Sequence, residues 1–402
     1  MLLPLLLFLS AGIIAGTITG LIPGIHINLV GIFLVSLAAS ILVSIDPIYF
    51  VTFIVAMAIT HTFVDFIPSI FLGCPDTDTE LSVLPGHELL KRGQGYQAIT
   101  LTCYGSLAAI FLLILITLPS IFLISKIYNY VNFFIPYLLI AVSILLILLE
   151  RKRTSALLAF LITGTLGILV LNPNEILGKS LELNQPLLSL LTGLFGGSML
   201  VMSIKNKTKI TEQKIIKPKV KSFRPIIGAL IASPLCSFLP GLGSGQAAVI
   251  GNTLVKTNKK GFLILLGATN TLVMGFSFIS LYIISKTRTG AAVAIKEIIG
   301  NPSPQILTLI LATTFITGII AFFLTIKLTE FFSQNITKVN YTLLSSITLI
   351  SLILIVFLVS GFLGLLILII STLTGIYCIS LKVKRTNMMG CLLLPTILLY
   401  LL

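Results

Sequence analysis

The sequence predicts an all-α, polytopic membrane protein built as two inverted-topology repeats. Three observations carry this: composition, the distribution of positive charge, and a pair of matched interruptions in the apolar runs. Of the 402 residues, 56% are hydrophobic and only 9% charged, with a mean hydropathy of +1.13. Soluble domains carry roughly 25% charged residues, so the solvent for most of this surface is lipid. Runs such as Leu107–Leu123, Ile135–Leu149 and Leu343–Leu366 suit a hydrocarbon layer of ~30 Å. Backbone groups in lipid must bond internally, which leaves helices or closed barrels. The runs are continuous rather than alternating, so helices are expected.

The chain opens Met-Leu-Leu-Pro without a basic start, and the first apolar segment is read as retained rather than as a cleaved signal. Leu2–Ile22 is long enough to cross, and whether it crosses or re-enters is left open. After this first hairpin, spans are expected near 50–72, 98–125, 133–149, 154–171 and 186–204. A basic segment, 205–224, follows, carrying Lys205, Lys207, Lys209, Lys214, Lys217, Lys219, Lys221 and Arg224 against Glu212 alone. A second hairpin comes next, then spans near 261–284, 306–327, 342–359, 361–381 and 387–402. The expected organisation is therefore an N-terminal transmembrane repeat (1–204), a cytoplasmic linker (205–224) and a C-terminal transmembrane repeat (225–402).

With the linker in the cytoplasm, 21 of the 26 Lys and Arg residues fall on that side. The exceptions are Lys126, Lys179, Lys286, Arg288 and Lys296. This is the positive-inside pattern. It accounts for the net charge of +14 without a nucleic-acid partner, and it puts 172–185 outside. Cys74, Cys103, Cys236, Cys378 and Cys391 are scattered and read as packing residues, with no metal site and no cofactor expected.

The halves match in order. Leu21-Ile22-Pro23-Gly24-Ile25-His26 corresponds to Phe238-Leu239-Pro240-Gly241-Leu242-Gly243, and Thr60-His61-Thr62-Phe63-Val64 to Thr269-Asn270-Thr271-Leu272-Val273. With one residue of offset, Asp76-Thr77-Asp78-Thr79 matches Lys286-Thr287-Arg288-Thr289. Each half carries five spans, and an odd number inverts the second half, as in many secondary transporters with sites at broken helices. Arg224 and Lys256 flank short arms, so the second hairpin is expected to enter and leave from the cytoplasm and the first to open outward.

Pro-Gly pairs free backbone groups where a helix would continue, and helix N-termini bind anions. The expected substrate-binding residues are thus Pro23, Gly24, His26 and Asn28 at the first break, and Pro240, Gly241, Gly243, Ser244 and Gly245 at the second. Asn270 joins them, with Thr77, Thr79, Lys286, Thr287, Arg288 and Thr289 at the charge-reversed pair. A packing kink is the plainer account of the breaks, and inter-half salt bridges or solvated loop ends of the charge-reversed pair. His61 lies one turn before Asp65 on the same face, and intramembrane ionisable groups mark ion paths. His61, Asp65, Asp76 and Asp78 are the expected ion-coupling residues, against a buried pair that merely fixes packing. His87 reads as a solvated loop residue beside Glu88. No Walker loop or catalytic triad is found, so an enzyme is not expected.

The stretch Leu84-Pro85-Gly86-His87-Glu88-Leu89-Leu90-Lys91-Arg92-Gly93-Gln94-Gly95 with Ala98, together with Leu239-Pro240-Gly241-Leu242-Gly243-Ser244-Gly245, resembles two motif regions of the TctA family. This family comprises the large permease subunits of tripartite tricarboxylate transporters, and the chain looks like its shorter, archaeal-type branch. The resemblance implies an importer of a small anionic solute, a carboxylate, driven by H+ or Na+ in the inner membrane. A solute-binding protein or small membrane subunit would be its partner, and a homodimer is compatible. Two other readings stay open: a polyprenyl-phosphate or anionic-lipid translocase, and an integral-membrane enzyme acting on lipid-linked substrates.

Overall fold

The computed structural model describes residues 2–22, 46–72, 83–171, 186–205, 211–220, 222–238, 243–287, 289–338 and 340–401. Its regular elements are helical, and no strand occurs among the described residues. Eight described helices are long and apolar enough to cross a membrane.

Helix α1 (Leu2–Leu21) is followed by α2 (Pro47–Val64) and α3 (Phe66–Phe71), which form one bent span. Asp46 caps α2 by accepting from the Ile48 amide at 3.0 Å. Gly12, Gly16 and Gly20 of α1 face Ala56, Thr60 and Val64 of α2 in the same order, so the two helices run parallel. A 20-residue helix spans about 30 Å. Even so, α1 ends beside Val64 and Asp65, short of the end of α3.

A short helix, α4 (Val83–Lys91), precedes α5 (Gly95–Leu148). This corrects the loop reading of His87. The ring is half-buried and its Nδ1 lies 3.0 Å from the Ile70 carbonyl oxygen; burial pushes its pKa below 6.5. Helix α5 joins the two expected spans, 98–125 and 133–149, in one run of 54 residues, which laid straight would reach about 80 Å. Both its ends lie at one face: Lys260 of the second half donates to Gln97 at 2.8 Å, and Leu149 lines the same groove as Glu88 and Lys259. The run therefore bends back on itself, with Pro119 and Pro136 inside it.

Helix α6 (Arg153–Leu171) is followed by α7 (Pro186–Leu191), a π-helical turn (Thr192–Gly197) and α8 (Ser198–Lys205), together one span. The described linker residues lie against the α4–α5 turn. Gln213, buried, donates through Nε2 to Leu90 O at 3.0 Å and accepts from the Gly95 amide at 2.8 Å. The Lys214 amide donates to Gly93 O at 2.8 Å, and Gly93 holds a positive φ of 73° that favours glycine.

Helices α9 (Arg224–Phe238) and α10 (Ser244–Val255) form an antiparallel pair, Gly228 facing Gly251 and Val255. Arg224 and Lys256 thus share one end. Helix α11 (Lys259–Ile284) begins beside Pro225, so α9 and α11 run parallel, as α1 and α2 do. An amphipathic helix not read from the sequence, α12 (Gly290–Ile299), follows. It leads to α13 (Pro304–Asn335), α14 (Tyr341–Ser380), which turns sharply at Gly361 (φ 64°, ψ −159°), and α15 (Gly390–Leu401). That turn separates the expected spans 342–359 and 361–381.

Two apolar cores result, each drawing on both sides of the linker. One joins α2–α4 and the start of α5 to α9–α13. The other joins the end of α5, α6 and α7 to α14 and α15, with Ala232 and Cys236 of α9, Ala247 of α10 and Val273 of α11. In the first, α5 and α11 run parallel at close approach: a Cβ on Gly105 would collide with the Ile264 carbonyl oxygen, and one on Gly267 with that of Thr102. Ser106 Oγ donates across this seam to Gly267 O at 3.0 Å. Gly105→Val should therefore lower stability by about 1–3 kcal/mol through overpacking, measured by thermal melting in detergent, whereas Gly300→Ala, where a Cβ meets nothing within 4 Å, should cost only the strain of its positive φ.

Candidate functional site

The ionisable side chains buried in the first core, His61 and Asp65, lie where α2 crosses α11. Pro68 has no amide to offer the Val64 carbonyl, and its ring crowds the turn before it, so the span resets at Asp65. Ser69 Oγ donates to Asp65 O at 2.7 Å. The reset holds the Asp65 carboxyl in the core, 4% exposed, facing the middle of α11.

There Asn270 Nδ2 donates to Asp65 Oδ2 at 2.9 Å and more weakly to Thr62 O at 3.3 Å. The hydroxyls of Thr62 and Thr271 lie 3.2 Å apart, and Thr62 Oγ1 donates to Ile59 O at 2.8 Å. One turn before Asp65, His61 Nδ1 lies 3.2 Å from Thr19 Oγ1 of α1. His61, Asp65 and Asn270 are each less than 5% exposed, and Thr60, Thr62, Thr269 and Thr271 are buried beside them. An intramembrane acid is costly and is retained only with partners; here an amide, threonine hydroxyls and an imidazole lie within about one helical turn of it. Such a set can take up and release a proton, or offer carboxylate, carbonyl and hydroxyl oxygens to a monovalent cation. No group of three or more His, Cys, Asp or Glu side chains suited to a metal occurs among the described residues.

A second polar cluster opens α10. Ser244, Gly245 and Gln246 are buried in its first turn, and Gln246 Oε1 accepts from the Gly243 amide at 2.8 Å. Gln246 Nε2 is buried and has no hydrogen-bond partner among the described residues.

The structure thus brings together His61, Asp65 and Asn270, and separately Gly243, Ser244 and Gly245. Asn270, expected at the substrate, donates to Asp65. Lys286 and Thr287 lie in the turn leaving α11, with Lys286 exposed. The Thr289 hydroxyl accepts from the Ala292 amide, capping α12, and lies 2.7 Å from Ser277 Oγ. Pro23, Gly24, His26, Asn28, Asp76, Thr77, Asp78, Thr79, Pro240, Gly241 and Arg288 lie outside the described residues. Thr19 escaped the sequence reading. The i, i+4 glycines of α1 carried a usable signal for Thr19, since they mark the face that meets α2.

Removing the Asn270 amide leaves a buried carboxyl oxygen without its donor. Asn270→Ala should cost about 1.5–3 kcal/mol, the range for a hydrogen bond to a charged group, read as a lowered melting temperature. A change within 0.5 kcal/mol would mean the bond contributes nothing.

A family model described as Tripartite tricarboxylate transporter TctA family matches residues 6–390. A protein of Methanocaldococcus jannaschii described as uncharacterized is 35% identical over 410 residues, covering 98% of this chain and 99% of its own. No solved structure matches.

Proposed function

The chain belongs to the tripartite tricarboxylate transporter TctA family, a family of multi-pass membrane transporters, and from that premise we propose that it is a secondary active permease for a small anionic solute, a carboxylate, coupled to a proton or sodium gradient. The observation that carries this reading is the buried Asp65–Asn270 bond between the two antiparallel spans α2 and α11. An acid held at that depth by the residue matching His61 in the other half is what an ion-coupled carrier needs at its centre.

In the same reading, 1–204 and 225–402 are inverted repeats. The Thr62–Thr271 contact supports it: these are the same position in the two matched segments, and under a two-fold axis a residue meets its own counterpart only on that axis. The parallel pairs α1/α2 and α9/α11 support it too. The α9–α10 pair is then a re-entrant hairpin opening on the basic face, with the 205–224 linker in the cytoplasm of the inner membrane. Pro23, Gly24, His26, Asn28, Pro240, Gly241, Gly243, Ser244 and Gly245 line the substrate path with Thr77, Thr79, Lys286, Thr287, Arg288 and Thr289. His61, Asp65, Asp76 and Asp78 carry the coupling ion. A solute-binding protein and a small membrane subunit are the partners that a tripartite system implies.

Two experiments test this. In proteoliposomes, Asp65→Asn should abolish gradient-driven uptake while leaving solute binding within about threefold, and Lys286→Gln or Arg288→Gln should weaken binding by ~1.5–3 kcal/mol. Uptake by Asp65→Asn that still follows the gradient would remove Asp65 from coupling. A thermal-shift screen of di- and tricarboxylates against isoprenoid phosphates decides the solute class: stabilisation by the phosphates alone would favour a lipid translocase.

Topology is tested separately. In intact cells an impermeant thiol reagent should label a cysteine at Glu297, which is exposed on α12, and spare one at Lys217, which is exposed on the linker. The opposite pattern reverses the orientation.

A further inference from the structure

At the basic face, a groove of about 770 Å³ lies between the end of α10, the start of α11 and the turn before α15. Lys256, Lys259, Lys384 and Arg385 line it, with Glu88 the one acid among its lining residues. Lys259 is paired with Glu88, and Lys384 with Glu150 at 3.7 Å. The Lys259–Glu88 pair and the Lys384 ammonium are well exposed, and exposed pairs hold little energy, so these cations can be drawn to a competing anion. Lys256 has no acidic partner among the described residues. Its backbone is left-handed, φ 42°, where a side chain is strained and glycine is the usual C-terminal residue. Glycine would be easier to accommodate there, and the Lys256 side chain lines the groove.

The groove also has a direction. Val249, Asn252, Thr253 and Lys256 all line it at i, i+3, i+4 and i+7, one face of α10. Val249 is three residues, about 4.5 Å, from Gln246 in the first turn of α10, whose side-chain amide is buried without a hydrogen-bond acceptor among the described residues.

We infer that this groove is an anion vestibule that gathers a multivalent carboxylate at the basic face and conducts it along α10 toward the second helix break. The inference rests on the transport reading for the solute it names, and on the groove alone for its preference for anions. Clefts lined by one sign of charge concentrate the opposite ion and raise its arrival rate by 10-fold or more at low salt.

The test uses purified full-length protein in detergent, on a Cys74→Ser background in which Cys103, Cys236, Cys378 and Cys391 are buried. Val249→Cys is labelled in parallel with an anionic and a cationic methanethiosulfonate. The anionic-to-cationic rate ratio, relative to a free thiol, should be about tenfold at low salt and should collapse in high salt, where the Debye length falls to about 3 Å. Lys256→Gly should lower that ratio by about fourfold, the effect of one unit charge roughly 10 Å away, seven residues along the helix, while leaving the melting temperature unchanged or raised. A ratio near one, or a ratio that Lys256→Gly does not move, overturns the vestibule. Citrate should slow labelling of Val249→Cys, and less so with Lys256→Gly. Slowing by phosphatidylglycerol vesicles and not by citrate would overturn the solute assignment in favour of a lipid headgroup. An anion preference in a protein that carries no carboxylate would keep the vestibule and remove the transport reading, so the two failures are separable.

Discussion

The hydrogen bond from Asn270 to Asp65 is the interaction around which the first core is organised. An acid in hydrocarbon-buried surroundings costs several kcal/mol unless it is partnered, and Asp65 meets this constraint by facing the middle of α11. That requirement sets the depth at which α2 and α11 cross and their mutual register, which also brings Thr62 to Thr271. Pro68 contributes by resetting the span at the acid, so that the carboxyl points inward from a bend. Helix α1 then packs through Gly12, Gly16 and Gly20, which lets Thr19 reach the His61 ring.

A second set of constraints operates at the basic face, where lipid no longer excludes water and polar groups act as clasps. The linker does not merely connect: Gln213 bonds to both sides of the Leu90–Gly95 turn, fixing the angle between α4 and α5. Lys259 draws the Glu88 carboxyl below the usual carboxylate range through a direct hydrogen bond. Lys260 holds Gln97, so the start of α11 is tied to α4 and α5 at two points. The Lys259–Glu88 tie is weak because it is exposed, whereas Gln97 is buried where Lys260 reaches it.

The two cores share their walls. Ala229 of α9 and Ala248 of α10 pack in the core that holds Asp65, whereas Ala232, Cys236, Ala247 and Val273 of α9, α10 and α11 pack in the core of α6, α7, α14 and α15. Glycines lie at close contacts within both cores, so backbones meet directly and any shift displaces whole helices.

How much of this was legible follows from which forces are local. The spans could be read because apolar length and the sidedness of Lys and Arg are properties of the chain itself. His61, Asp65 and Asn270 could be picked out because ionisable and amide groups inside apolar runs are rare. The matched segments around Thr62 and Thr271 were also visible as repeated letters. The helical state of Val83–Lys91 and the amphipathic α12 were not, since short helices are stabilised by what they pack against rather than by their own propensity. Only tertiary structure could bring Asn270 to Asp65 and fold α5 back so that its two ends share one face. The burial of Gln213 and the left-handed backbone of Lys256 were likewise decided by residues more than a hundred positions away or by a turn's geometry, and neither leaves a trace in local hydropathy. The sequence by itself determined the solvent, the spans and the rare polar residues within them; the tertiary structure decided which of those residues meet, because a buried polar group takes its partner from whatever chain the packing brings within 3 Å.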